Sequence, residues 1–355
     1  MLAYLPAGGT TPPNPPATAR APAEGATPPG PPTPGSHRWF DAWVESAYGT
    51  AGFWRVHDPD EHFRTAAASS DVIAELVVSF LDQQPEIEAV VDVGAGGGQL
   101  LGALAALRPD LRFSGIDLRA RPDWLPAQIG WAVDLWDVRY GRWTSVAAEA
   151  VLTEPGPVMI ICCEWLDDLP CPVVHRDADG WREVIVDAGA DERNGPRLTD
   201  EFLDWADRWW PDGQRAEIGL TRDRAWSALA SAITDRGGCG LMIDYGHRLA
   251  ERPAAGSFAG YREGRAVDPT PAADLNLTAH VAVDAVRAAG EATGLQTAFC
   301  CLQSEVVSEL TSAVAHPDPL VDLARRSQQS ALSSRYVWGG HWWLLQRAAA
   351  GTVPR

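Results

Sequence analysis

Lysine is absent from all 355 residues, so each of the 29 basic side chains is an arginine. Alanine, glycine and proline are abundant, which points to the coding bias of a GC-rich genome rather than to a mechanism. Positive charge is scarce overall. The formal net charge is −18 and the isoelectric point about 4.8. A free nucleic-acid binder normally presents a basic face, so DNA and RNA are not expected partners. An acidic surface favours solubility and cationic partners instead. No apolar run approaches the ~20 residues needed to span a bilayer. The N-terminus lacks the charged and apolar regions of a secretory signal, and neither a membrane span nor export is expected. The six cysteines form no C-x-x-C, and no histidine stands at zinc-ligand spacing. No metal site is expected. Buried, reduced thiols and a cytoplasmic location are.

What the chain does have is a glycine loop after an apolar run, Val90-Val91-Asp92-Val93-Gly94-Ala95-Gly96-Gly97-Gly98-Gln99-Leu100-Leu101. It reads as a buried strand, a tight loop and the start of a helix. Asp92 stands two places before the first glycine. Asp117 ends the next strand-like run. Glycines at 94, 96 and 98 let backbone approach a ligand closely, and an acid ending the second strand can accept both hydroxyls of a ribose. This order suits S-adenosylmethionine (SAM). The dinucleotide fingerprint G-x-G-x-x-G is not completed, because Gln99 stands where it requires a small residue for helix–strand packing. A nucleotide-dependent oxidoreductase is therefore disfavoured.

Around this loop, composition and periodicity give an organisation. Residues 1–36, rich in Pro, Gly, Ala and Thr, read as a disordered tail. Residues 37–350 read as one α/β domain. Helices are expected over His37–Tyr48 and Asp71–Leu81. Strands alternate with helices: Ala89–Val93, Leu111–Leu118, Ile129–Leu135, Val158–Glu164, Gly240–Tyr245, Leu295–Leu302 and Gly340–Gln346, with helices over Gln99–Leu107, Asp223–Asp235, Ala279–Thr293, Ser304–Val314 and Pro319–Ser333. Thr278 is placed as the cap of the Ala279–Thr293 helix. The alternation predicts a seven-stranded, mostly parallel, Rossmann-like sheet of the class I SAM-methyltransferase type, preceded by an N-terminal helical segment. Residues 169–220 read as an insertion after strand 4. Pro172–His175 and Trp181–Asp187 flank the hairpin turn Asp177-Ala178-Asp179-Gly180, and a helix over Thr199–Trp210 and a strand near Ala216–Leu220 follow. Gly246–Leu277 reads as a long loop.

Three acids, Glu164, Asp167 and Asp168, lie just beyond the end of strand 4, the edge at which ligands bind in such sheets. A guanidinium acceptor needs carboxylates in a fixed fork geometry. Glu164 and Asp167 are thus candidate catalytic residues, the simpler alternative being that they cap the next helix. Asp134, ending strand 3, is placed to meet the adenine amino group. Trp136 is read as core in preference to an adenine stack. His280, at the end of a long polar loop, is a further catalytic candidate.

Several motifs, in order along most of residues 45–300, resemble the MidA family of SAM-dependent methyltransferases, which includes the mitochondrial complex I assembly methyltransferases. Tyr48-Gly49-Thr50-Ala51-Gly52-Phe53-Trp54 resembles the family's Y-x-x-x-G-Y-Y, and His62-Phe63-Arg64-Thr65-Ala66 its G-D-F-x-T-x-P. Asp92–Gly98 resembles E-x-G-x-G-x-G, and Cys163-Glu164-Trp165-Leu166-Asp167-Asp168-Leu169-Pro170 resembles N-E-x-x-D-A-L-P. Asp244-Tyr245-Gly246 resembles D-Y-G, Gly256-Ser257-Phe258-Ala259-Gly260-Tyr261-Arg262 resembles G-T-L-x-x-Y, and Asn276-Leu277-Thr278-Ala279-His280-Val281 resembles D-L-T-A-H-V. Cys163, Asp168 and Asn276 depart from the family's Asn, Ala and Asp. The resemblance implies SAM as cofactor, held by Asp92, Gly94, Gly96, Gly98, Asp117 and Asp134. It also implies a protein substrate methylated on arginine. A non-catalytic assembly protein that kept the fold is the alternative, and a homodimer is compatible with the sequence.

Overall fold

The computed structural model describes residues 35–57, 71–310, 318–334 and 339–349. The tail expected over residues 1–36 therefore falls almost wholly outside the described residues, as does the His62–Ala66 motif.

Seven strands build the central sheet: β1 Ala89–Val93, β2 Arg112–Asp117, β3 Gly130–Val133, β4 Val158–Cys163, β5 Gly238–His247, β6 Gln296–Leu302 and β7 His341–Arg347. Their order across the sheet is β6-β7-β5-β4-β1-β2-β3. β7 runs antiparallel to both neighbours and the other pairings are parallel. A two-residue strand, Val281–Ala282, prolongs the sheet beside the end of β5. The middle strands are apolar because both their faces are covered. In β1 every residue is buried, and Val158–Ile161 of β4 are inaccessible to solvent.

Helices cover the two faces. On one side lie α1 Asp71–Leu81 and α2 Gln99–Leu107, which seat Ile73, Val77, Phe80, Leu101 and Leu104 on the sheet. On the other lie α3 Leu220–Arg236 and α4 Val283–Ala292, which bury Trp226, Leu229, Ile233, Val283 and Val286. Each large apolar side chain so buried contributes roughly 1.5–3 kcal/mol. The buried Gln346 of β7 is fully served: it accepts from Trp226 Nε1 at 2.8 Å and donates to the Arg287 carbonyl at 2.9 Å and Thr297 Oγ1 at 3.0 Å. No described helix is long and apolar enough to cross a membrane.

The inserted segment forms a second, antiparallel sheet. The expected hairpin is present as Val173–Asp177 paired with Gly180–Val186, and Arg215–Glu217 extends it. Two further strands were not expected. His37–Arg38 pairs with Val186 and Ile185 before the helix Trp39–Tyr48 begins. Glu192–Arg197 pairs along the other edge of the same strand. Its run of charged residues gives no alternating signal, and Pro196 is tolerated because a bulge breaks the ladder there.

The long loop expected over Gly246–Leu277 contains a small sheet, Arg265–Val267, Ala259–Arg262 and Asn276–Thr278, closed by the left-handed pair Glu263 and Gly264. Thr278 is not a helix cap. It ends a strand, and α4 starts at Val283 with Ala282 before it. α3 begins at Leu220, three residues ahead of the expected Asp223. The helix expected over Ser304–Val314 runs from Gln303 to Leu310 within the described residues.

Candidate active site

The sheet's C-terminal edge carries two clusters. The first is the glycine loop. Gly94, Gly96 and Gly98 all take left-handed φ values, 72°, 59° and 76°, which L side chains rarely adopt. A Cβ on Gly94 would lie 2.5 Å from the Trp165 ring. Asp117, at the end of β2, accepts the Gly96 N–H through Oδ2 and the Arg119 N–H through Oδ1, each at 2.8 Å. Asp92 is buried in β1. Burial first, and the nearby Asp117 charge second, push its carboxyl up to about 8. Two acids and a left-handed glycine turn, whose Gly94 and Ala95 N–H groups bond the Ile116 carbonyl, therefore lie together at this edge. The set fits SAM: a Cβ on Gly96 would meet nothing nearer than an Arg119 nitrogen at 3.6 Å, which leaves backbone open beside Asp117, and carboxylates there match the ligand's ribose hydroxyls and cations.

Asp134 behaves differently from the expectation. Its Oδ1 accepts from Leu135 N, Thr144 Oγ1 and Ser145 N, and its Oδ2 from Ser145 Oγ and Ala148 N, all between 2.8 and 3.1 Å. These bonds hold its carboxyl below the usual range in spite of burial. Both oxygens organise residues 134–148, which leaves no lone pair for an adenine amino group. Trp136 is core, edge-on to Trp143 at 5.4 Å.

The second cluster lies beyond β4. Glu164 leaves the sheet with φ of 51°, its N–H still bonded to the Ile243 carbonyl at 2.8 Å. One carboxylate oxygen stands 3.2 Å from Nε2 of the fully buried His341 on β7. Asp167 accepts from Thr278 Oγ1 at 2.8 Å, so the hydroxyl expected to cap a helix joins two of the motifs. Asp244, at the end of β5, accepts the Leu166 N–H at 3.0 Å. Burial, with repulsion among the acids, pushes Asp168 and Asp244 up and lifts Asp167 to about 6. One oxygen each of Asp167, Asp168, Asp244 and Asn276 is buried without a hydrogen-bond partner. His280 lies alongside, its ring stacked on Tyr245 at 5.9 Å and its N–H bonded to Ser257 Oγ. Burial first, then the charges of Arg222 and His341, push it down to about 4, so it is neutral at pH 7.

The structure thus brings Glu164, Asp167 and His280 to one place, and Asp92, Asp117 and the glycines to another, with Trp165 between. Sequence reasoning missed Arg222, His341 and the buried Asn276 as parts of the second cluster. Arg222 carried no local signal. His341 did carry one, as a polar residue opening an otherwise apolar strand. Among the described residues no group of His, Cys, Asp and Glu side chains is arranged to hold a metal.

Residues 126–301 match the model of a family described as "Putative S-adenosyl-L-methionine-dependent methyltransferase". The zebrafish (Danio rerio) "Protein arginine methyltransferase NDUFAF7, mitochondrial" is 27% identical over 128 residues, which cover 34% of this chain and 30% of that protein. The match therefore spans less than a third of that relative's length. A COG1565 superfamily protein from Burkholderia thailandensis, solved with S-adenosylhomocysteine bound, shares the fold with a TM-score of 0.67 at 19% identity, over 90% of this chain and 89% of that one. A native structure of a COG1565 superfamily protein from the same organism gives 0.64 at 20% identity, over 90% and 91%. SAM is the cofactor that these matches support. Family match and fold together support a MidA-like SAM-dependent methyltransferase.

Proposed function

We propose that the chain methylates a guanidinium nitrogen of an arginine in a protein substrate. The observation that carries this reading is the set of buried, unpartnered acceptor oxygens on Asp167, Asp168, Asp244 and Asn276 beside Glu164. Buried polar atoms are normally paired, and leaving one unpaired costs roughly 1–3 kcal/mol. A cluster rich in unpaired acceptor oxygens suits a partner rich in donors. The guanidinium is that partner, with five N–H groups in a planar fork and no acceptor. The name of the zebrafish relative gives the same acceptor class.

When bound, SAM supplies a methyl group on a sulfonium and leaves as a neutral thioether. The residues of this chain do the rest by position and charge. Glu164, only partly buried, orients the guanidinium through charge-assisted hydrogen bonds. Nε2 of His341 stands 3.2 Å from one oxygen of that carboxylate and attracts it when the imidazole is protonated. The nitrogen gains the methyl and sheds one proton. Asp167, lifted to about 6, is closer to neutral pH than an ordinary carboxylate and takes that proton. Neutral His280 and Tyr245 wall the site without competing for the cationic role. The test is incubation of the purified chain with methyl-labelled SAM and a cell lysate, followed by hydrolysis and mass spectrometry. Labelled methylarginine is expected. Label recovered only on another residue type, or none at all, overturns the proposal.

A further inference from the structure

Arg222 stands on the first turn of α3, and its side chain is 1% exposed. All of its hydrogen bonds go to backbone carbonyls. Nε donates to Leu169 at 3.0 Å, and Nη2 to Asp167 at 2.7 Å. Nη1 donates to Ala279 at 2.8 Å and His280 at 3.2 Å. The first two acceptors lie in the loop after β4, which carries Glu164, Asp167 and Asp168. The other two lie in the segment ahead of α4, which carries Thr278 and His280. Its neighbour Thr221 adds a bond to the Pro170 carbonyl at 2.8 Å. One planar cation therefore ties together two motifs more than a hundred residues apart.

We infer that Arg222 is the positioning residue of the acceptor site: its guanidinium fastens the Glu164–Asp168 loop to the Thr278–His280 segment and sets a fixed positive charge beneath the carboxyls. This rests on the reading of that cluster as the place where a cationic acceptor is held. A neutral amide could bridge two loops. A buried cation costs far more to desolvate, and it is stabilised here by four carbonyl dipoles and by the acids above it.

The groups facing those acids come from every neighbouring element. Glu164, Asp167 and Asp168 lie on the loop itself, Asp244 and Tyr245 on β5, and Tyr48 on the N-terminal helix. Tyr261 belongs to the small sheet, His280 to the segment ahead of α4 and His341 to β7. Burial and mutual repulsion push the carboxyls of Asp167, Asp168 and Asp244 up, and Arg222 pulls all three down. Without that charge the cluster holds more protons at neutral pH. An arriving guanidinium would then have to displace them.

Two variants separate fastening from charge. Arg222→Lys keeps the charge and loses the fork. Arg222→Gln loses both. Amide hydrogen exchange and an infrared titration of protonated carboxyl groups read these effects without any substrate, and S-adenosylhomocysteine calorimetry reports on the glycine-loop crevice. Both variants should speed exchange in residues 164–170 and 276–282 together by at least about tenfold. Residues 94–98 should exchange unchanged, with S-adenosylhomocysteine affinity within about threefold of the parent. Arg222→Gln should add protonated-carboxyl absorbance at pH 7, and Arg222→Lys should not. If Arg222→Lys leaves either segment exchanging as in the parent, the fastening is refuted. If Arg222→Gln leaves the carboxyl band unchanged, the charge role is refuted. Should Arg222→Gln fail to fold, the band in Arg222→Lys decides: parent-like absorbance supports the charge role, and added absorbance refutes it. Absence of methylarginine in the parent's labelling assay would remove the arginine reading while leaving these readouts to judge Arg222.

Discussion

Replacing Asp92 by Asn keeps the side chain's shape and removes its titration. In the folded chain the Asp92 carboxyl ionises near 8, against an ordinary value of 3.8, because of burial and then the Asp117 charge. Between those values the folded chain binds one more proton than the unfolded chain does. Stability therefore falls as pH rises from about 4 to about 8, and is flat above. The gap of about four units, at 1.36 kcal/mol each, amounts to on the order of 5 kcal/mol at pH 8. The Asn variant escapes this penalty. It should melt about 10 °C above the parent at pH 8, taking ~2 °C per kcal/mol for a domain of this size, and close to the parent at pH 4. Paired calorimetric melts at several pH values measure the difference. Above about pH 8 the same substitution should weaken SAM binding, because there the site loses a negative charge opposite the ligand's cations. In the parent, SAM affinity should climb toward pH 8 as the carboxyl gives up its proton. A melting difference that is constant with pH, or SAM affinity in Asp92→Asn equal to the parent's above about pH 8, refutes the reasoning.

Asp117→Ala should lower SAM affinity by more than about tenfold, since two charge-assisted ribose bonds at roughly 1.5–3 kcal/mol each are lost, and calorimetry would show an unchanged constant if the crevice were misassigned. Asp134→Ala should leave the donors of Leu135, Thr144, Ser145 and Ala148 unpaired and lower the melting temperature by several degrees at pH 7. Because its folded pKa is depressed, that deficit should shrink as pH falls through the lowered value. A deficit independent of pH would show that the carboxylate is not what organises the loop.

The central sheet was legible because buried parallel strands leave an unmistakable trace. Val158–Ile161 and Val90–Val93 are continuous but for Asp92. The glycine loop was legible for the same reason: only backbone that must turn left-handed three times in five residues spends glycine so freely. The small sheets were not legible. Strands such as Glu192–Arg197 and Asn276–Thr278 are short, and partly exposed or polar, so their pairing rests on backbone bonds and not on an apolar period. Thr278 fits a helix cap by local chemistry, but its partner is Asp167, brought near by the tertiary fold. Arg222 could not be found from sequence, since all its acceptors are carbonyls and any residue supplies a carbonyl. Asp134 was placed correctly at a strand end, yet the donors that claim it lie up to fourteen residues further on.

Methyl transfer by Glu164→Gln at saturating SAM tests the acceptor site most directly. Gln preserves the volume and removes the charge that would orient the guanidinium. The variant should bind SAM within about threefold of the parent, under ~0.7 kcal/mol, and form no labelled methylarginine. Methylarginine formed at the parent's rate would contradict the carboxylate role, and loss of SAM binding would put Glu164 in the cofactor crevice instead.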